Sequence, residues 1–121
     1  MTQVGPQTDA VVYVATVLSL YLELPDTPLR ISLPDQAVAR RWQANGIPCE
    51  VVEAAMLLGS LRRFDRPPDA SPLPRIRSLA YFQPVIEEML TVPPSANYRD
   101  FLRMKMQRLC AELQARPSNA T

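Results

Sequence analysis

Apolar residues recur at helical spacing in five stretches of this chain, and proline-rich polar segments separate them. From Asp9 to Leu24 the run is apolar nearly all round, through Val11, Val12, Val14, Val17, Leu18, Leu20, Tyr21 and Leu22. Its β-branched content would suit a strand, but its length suits a helix better. Thr8 or Asp9 is placed to cap the start, and Pro25 marks the end. The pattern predicts a central, largely buried helix.

After a loop holding Pro25 and Pro28, "SLPDQAVARRWQANG" carries its own start and stop signals. Ser32 with Asp35 three residues later forms a capping box with aspartate in the usual glutamate position, and Pro34 sits in the first turn, where a missing N–H costs little. Leu33, Val38 and Trp42, with Ala37, supply the expected buried face. Asn45-Gly46 ends the helix as a left-handed C-cap, with Ile47 in place for the accompanying apolar contact. Pro48 then opens the next helix at its first position, with Glu50 and Glu53 near the positive dipole end. There Ile47, Val51, Ala54, Ala55, Leu58 and Leu61 form a stripe that Val52, Met56, Leu57 and Phe64 widen, so this helix touches neighbours on two sides. Gly59 costs about 1 kcal/mol against alanine within a helix, and close approach of a neighbouring helix is its expected reason.

"RPPDASPLPR", residues 66–75, predicts a stiff extended linker. Ser78 is expected to cap a helix with Leu79, Phe82, Val85, Ile86, Met89 and Leu90 inward. Pro84 lies beyond the first turn, which predicts a kink or a short single turn ahead of the main helix. A last helix, about residues 97–115, carries Leu102, Met106, Leu109 and Leu113 in a 4-3-4 spacing, a coiled-coil-like seam. No alternating strand runs or hairpin dipeptides occur. The expected fold is all-α: a compact bundle of about five helices joined by proline-rich loops, one domain over 9–115, with a disordered leader 1–8 and a loose tail 116–121.

Composition narrows the chemistry. The chain has 121 residues, enough to bury roughly two-thirds of its unfolded surface without a metal or a disulfide. Cys49 and Cys110 make no disulfide framework and no Cys/His cluster, so a reduced, cytoplasmic compartment is the expectation. "AVVYVATVLSLYL" is too short to span a bilayer, which needs about 20 residues, and no membrane is implied. There is no histidine, which removes the commonest general base near neutral pH and the usual Ser-His and Cys-His pairs. Three glycines in all leave no phosphate-cradling loop. Glu87 and Glu88 are adjacent and point to different helix faces, so they form no acid–base pair. Cys49 near a helix start is the one candidate nucleophile, where a thiolate can be favoured; without a nearby base it reads as structural. A non-enzymatic protein with no cofactor and no metal site is expected.

Charge gives the positive lead. Net charge is −3 over residues 1–61 and +4 over the rest, and twelve of the thirteen basic residues are arginine. Arg62, Arg63, Arg66, Arg75 and Arg77 bracket the proline linker, and Tyr81 follows. One reading is a solvated helix end favoured by the dipole. The other is a rim contacting phosphates, with an aromatic ring to stack on a base. Asp65 and Asp69 dilute the field, so such DNA binding would be weak and salt-sensitive. Lys105, between Arg103 and Arg108, is expected on a solvated face.

Residues 32–90 resemble the helical module of DnaD-type replication proteins, which load primosomes in bacteria and phages. The shared pattern is a capped helix ending in Trp42 and Gly46, a helix with Glu53, Ala54 and Ala55, and a helix reached through Tyr81. The family's Tyr-x-x-x-Ile-x-x-x-Trp, tied to DNA binding, reads here as Tyr81, Val85 and Met89, with Pro84 between. Its basic C-terminal segment has a partial counterpart in Arg99, Arg103, Lys105 and Arg108. "IRSLAYFQPVIEEML" is also similar to stretches of uncharacterised proteins of bacterial mobile elements. The resemblance implies an accessory protein of bacterial or mobile-element DNA replication, binding DNA weakly and a replication protein through apolar helix faces. The alternative is a protein-interaction module of unknown process, a homodimer joined through Leu102, Met106, Leu109 and Leu113.

Overall fold

The computed structural model describes residues 6–115, with side chains from Ala10 onward. The chain is all-α, a compact bundle of five helices: α1 (Pro6–Glu23), α2 (Leu33–Ala44), α3 (Cys49–Phe64), α4 (Gln83–Thr91) and α5 (Ala96–Ala115), with a 3-10 turn (Leu79–Phe82) directly before α4. No strand occurs among the described residues. α1 begins at Pro6, so Thr8 and Asp9 lie within the helix and not at its start. Residues 1–5 of the expected leader and the tail 116–121 lie outside the described residues.

The centre of the bundle is α3, and the expectation that α1 would fill it is corrected. Val51, Val52, Ala54, Ala55, Met56, Leu57, Gly59, Ser60 and Arg63 of α3 are all buried. The helix packs against α1, α4, α5 and the 3-10 turn. Small side chains make this possible by letting neighbours close in. At Gly59 a Cβ would lie 2.9 Å from Phe82 Cδ1 and 3.4 Å from Val85 Cγ2. Phe82 has no room to give, because it is fully buried and meets the Tyr21 and Tyr81 rings edge-on. α1 instead flanks α2 and α3, turning Val17 and Tyr21 inward and leaving Val11 and Val12 in solvent.

Local signals at α2 are read out closely, with one inversion. The capping box is formed: Asp35 N–H donates to Ser32 Oγ at 3.1 Å, and Ser32 N–H donates to Asp35 Oδ2 at 3.2 Å. Asp35 Oδ1 also accepts from Leu79 N–H at 2.9 Å, and Asp35 is only 1% exposed. The carboxylate therefore takes the inward position expected of Leu33, which is 77% exposed, and Ala39 is buried where Ala37 was expected. Gly46, at φ 73°, closes α2 in a Schellman motif, with Gly46 N–H donating to Gln43 O at 3.0 Å and Ile47 N–H to Trp42 O at 3.1 Å. Pro48 stands one residue before α3, its carbonyl accepting from Val51 and Val52.

The proline-rich segment turns at residues 67–70 and then runs extended as a strap over residues 71–78. Ile76 anchors it: the side chain is buried, and its N–H donates to Asp26 O at 2.9 Å. Asp26 adopts φ 61°, a left-handed turn that aspartate tolerates better than most residues. Ser78 makes no side-chain cap, and Tyr81 N–H at the third position donates to the Ser78 carbonyl instead, at 3.1 Å, in the 3-10 turn. Pro84 falls in the first turn of α4, so the short turn anticipated before the main helix is present.

Two phenols make the fold sensitive to alkali. Tyr13 donates its hydroxyl to Ile47 O at 2.8 Å, and burial, with Cys49 and Glu50 nearby, pushes its pKa well up. Tyr21 is fully buried, and burial followed by the charge of Asp35 pushes it up to about 12. In an unfolded chain a phenol ionises near pH 10. Both groups thus contribute stability that is whole below about pH 10 and lost as pH rises through the folded values. Urea midpoints are expected to fall between about pH 10 and 12 more steeply for the native chain than for a Tyr13→Phe/Tyr21→Phe variant. Equal slopes would contradict this account.

Candidate binding surfaces

The six residues expected to form a nucleic-acid rim do not form one surface. Arg62 is spent on Glu88 of the adjoining α4 through two hydrogen bonds of 2.8 and 3.0 Å, which hold the Glu88 carboxyl below the usual carboxylate range. Arg63 is a buried structural residue. Its Nη2 donates to Pro74 O at 2.7 Å, its Nη1 donates to Tyr81 Oη at 3.3 Å, and Asp26 lies 3.6 Å away. Tyr81 is half-exposed, yet the Arg63 guanidinium sits 5.4 Å from its ring centroid. The expected stacking surface is therefore partly occupied from within.

The other three keep their charge in solvent. Arg66 donates to Ser71 O at 2.7 Å and closes the proline turn. Arg75 donates to Thr27 O at 3.3 Å and fastens the strap to the loop after α1. Arg75 and Arg77 both point outward, because the extended backbone alternates and Ile76 between them points in. What the spacing could not convey is which arginines the strap itself uses.

α5 departs further from expectation. Leu102 and Met106 are 2% and 7% exposed within the monomer, and only Leu109 and Leu113 of the seam remain half-buried. The seam thus packs mostly inside, as a domain this small needs. Arg103, expected to be solvated, bonds Glu53 of α3 at 2.6 and 2.9 Å and Asp100 at 2.9 Å. Glu53 is accordingly an interhelical partner, beyond its position near the start of α3.

Beside that seam lies a groove of about 510 Å³ that the sequence reading did not single out. Leu58, Leu61 and Phe64 of α3 and Tyr98, Phe101 and Leu109 of α5 give it apolar walls. Tyr98 and Phe101 are stacked, with centroids 6.3 Å apart, and the Lys105 ammonium stands 5.6 Å from the Phe101 centroid. Lys105 and Arg108 line one side without an ion pair among the described residues, while Asp65 and Glu112 also reach the groove. The available signal was Tyr98 and Phe101, one turn apart and off the seam.

Cys49 borders a smaller cavity of about 290 Å³ with Val17, Leu20, Val52 and Met56, and Glu53 and Arg103 line it as well. Burial, then Glu50 and Glu53, pushes its thiol up, so the thiolate that a helix start might have favoured is disfavoured here. Among the described residues no group of three or more His, Cys, Asp or Glu is placed to hold a metal ion. No described helix is long and apolar enough to cross a membrane. No protein-family model, curated protein or solved structure matches the chain.

Proposed function

We propose that this chain is a non-enzymatic accessory protein that binds a helix of a protein partner in the groove between α3 and α5. The carrying observation is the groove itself: stacked Tyr98 and Phe101 rings left in solvent beside Leu58, Leu61 and Phe64. Aromatic side chains exposed at the rim of an apolar cleft are the usual anchors of helix-in-groove recognition, which reads partner residues at i, i+3 or i+4, and i+7. Lys105 and Arg108, which form no ion pair among the described residues, add a preference for acidic residues beside the partner's apolar stripe, a preference that Asp65 and Glu112 on the same groove reduce. The tie to bacterial or mobile-element DNA replication rests on the resemblance of residues 32–90 to the DnaD-type module.

A fluorescent amphipathic peptide with leucines at that spacing and flanking glutamates tests the groove. It should bind the native protein and lose at least about tenfold in affinity, about 1.4 kcal/mol, on Phe101→Glu or on the double change Lys105→Glu/Arg108→Glu. Equal binding by all three proteins, or none by the native one, would discard the groove.

A weak DNA contact is the second reading, favoured by the outward pair Arg75 and Arg77 with Arg66 nearby in the chain. Three such residues neutralise about three phosphates, giving a log–log salt slope near −3. Oligonucleotides, single- and double-stranded, should bind at low salt and release the Arg66→Ala/Arg75→Ala/Arg77→Ala variant. Binding that ignores those changes would remove DNA from the proposal.

A further inference from the structure

The smaller cavity, of about 290 Å³, lies where three helices do not close on one another. α1 and α5 both pack on α3, yet among the described residues they scarcely touch each other. Val17 and Leu20 of α1 and Val52 and Met56 of α3 give the cavity apolar walls, and Val17, Val52 and Met56 are 2%, 0% and 0% exposed. Thr16 lies exposed on α1, while Arg103 reaches across from α5 to Glu53. The space is therefore apolar at depth and polar toward solvent.

We infer that this cavity binds an uncharged small molecule, apolar at one end and carrying a single hydrogen-bond donor at the other. Size sets the first limit. An apolar cavity of about 150 Å³ takes benzene, so this one takes about ten non-hydrogen atoms, a fused pair of rings or a short aliphatic chain. A helix with its side chains is about 10 Å across, which rules out the kind of partner proposed for the groove between α3 and α5.

Charge sets the second limit. Arg103 is already paired, through hydrogen bonds of 2.6 and 2.9 Å to Glu53 and of 2.9 Å to Asp100. An anionic ligand gains no unpaired cation at the mouth and meets the Glu53 carboxylate instead. The cavity treats its own thiol in the same way, since burial and then Glu50 and Glu53 push Cys49 up. A cationic ligand would set a second positive charge against Arg103 and give up its hydration to Val17, Val52 and Met56. An uncharged ligand meets neither cost. Glu53 supplies its orientation. A carboxylate offers about four acceptor positions, and Arg103 takes two of them, which leaves room for one donor from the ligand.

Titration of the full chain with indole, followed by backbone amide chemical shifts, tests this. Binding should saturate, with shifts at Val17, Leu20, Val52 and Met56 and a dissociation constant of about 0.1–1 mM, as suits so small a ligand. Indole-3-carboxylate, the same rings with a negative charge, should bind at least about tenfold more weakly. Thr16→Phe plugs the mouth from an exposed position and should weaken indole at least about tenfold. In the native protein, indole should slow alkylation of Cys49 by N-ethylmaleimide in proportion to occupancy. Cys110, which does not line the cavity, should react as before. Phe101→Glu, which disables the groove, should leave indole binding unchanged, so this inference and the groove fail separately. No saturable binding, binding indifferent to Thr16→Phe, or an unprotected Cys49 would overturn the inference. Equal binding of the carboxylate would overturn the exclusion of charge. Loss of indole binding in Phe101→Glu would move the ligand to the groove and overturn the cavity as its site.

Discussion

Replacing Asp35 with alanine is expected to cost roughly 3–5 kcal/mol, a large part of the 5–15 kcal/mol that holds a typical domain together. The side chain is buried with no arginine or lysine paired to it. Its charge is instead balanced by two backbone N–H donors, Ser32 and Leu79, and by the positive end of α2. A hydrogen bond to a charged acceptor contributes about 1.5–3 kcal/mol, and a buried N–H left without an acceptor costs about 1–3 kcal/mol. Alanine removes both bonds and leaves Leu79 N–H with no acceptor in the core. Ser32→Ala is the matched control: it deletes only the cap on Asp35 N–H and should cost about 1 kcal/mol. Urea denaturation at neutral pH reads the difference. Equal losses for the two variants would reduce Asp35 to an ordinary helix cap.

That double use of Asp35 shows where sequence reading stopped. Ser32 and Asp35 announce a capping box through spacing alone, and the box is present. The second acceptor role depends on the strap returning past α2, 44 residues later, which no local signal carries. The same division holds for the helices. Asn45-Gly46, Pro84 and the apolar spacings fix where they start and stop, because those are one-turn effects. Which helix is central depends on relative packing. α1 has the most continuous apolar run, yet Ala54, Ala55 and Gly59 give α3 the slim profile that accepts neighbours on several sides. For the arginines the sequence conveys number and neighbourhood only. Whether a guanidinium is engaged within the fold is decided by long-range packing, by α4 bringing Glu88 to Arg62 and the strap bringing Pro74 to Arg63, so these two could not be told from Arg75 and Arg77 beforehand. The groove escaped because its walls come from helices far apart in the chain, so no local spacing sets Leu58 and Leu61 beside Phe101.

Arg63→Ala is expected to cost about 2–4 kcal/mol, whereas Arg77→Ala should stay within about 0.5 kcal/mol of the native protein. The two residues are equivalent in the sequence reading and opposite in the fold. The Arg63 side chain is 4% exposed, and it joins the end of α3 to Pro74 of the strap, Tyr81 of the 3-10 turn and Asp26 after α1. Removing it leaves Pro74 O and the Tyr81 hydroxyl without that donor and opens a cavity beneath the strap. Asp26 is 45% exposed, so loss of the ion pair adds little, and the range of about 2–4 kcal/mol starts lower than the roughly 3–5 kcal/mol for breaking a fully buried pair. Arg63→Met separates the causes, since it fills most of the space without donating: a loss close to that of alanine assigns the effect to hydrogen bonding, and a much smaller one to packing. The DNA titration then has a clean control. A folded Arg63→Met protein should bind oligonucleotides as the native chain does, because this guanidinium is sealed from any phosphate. Weakened binding with unchanged stability would return Arg63 to the rim that the sequence first suggested.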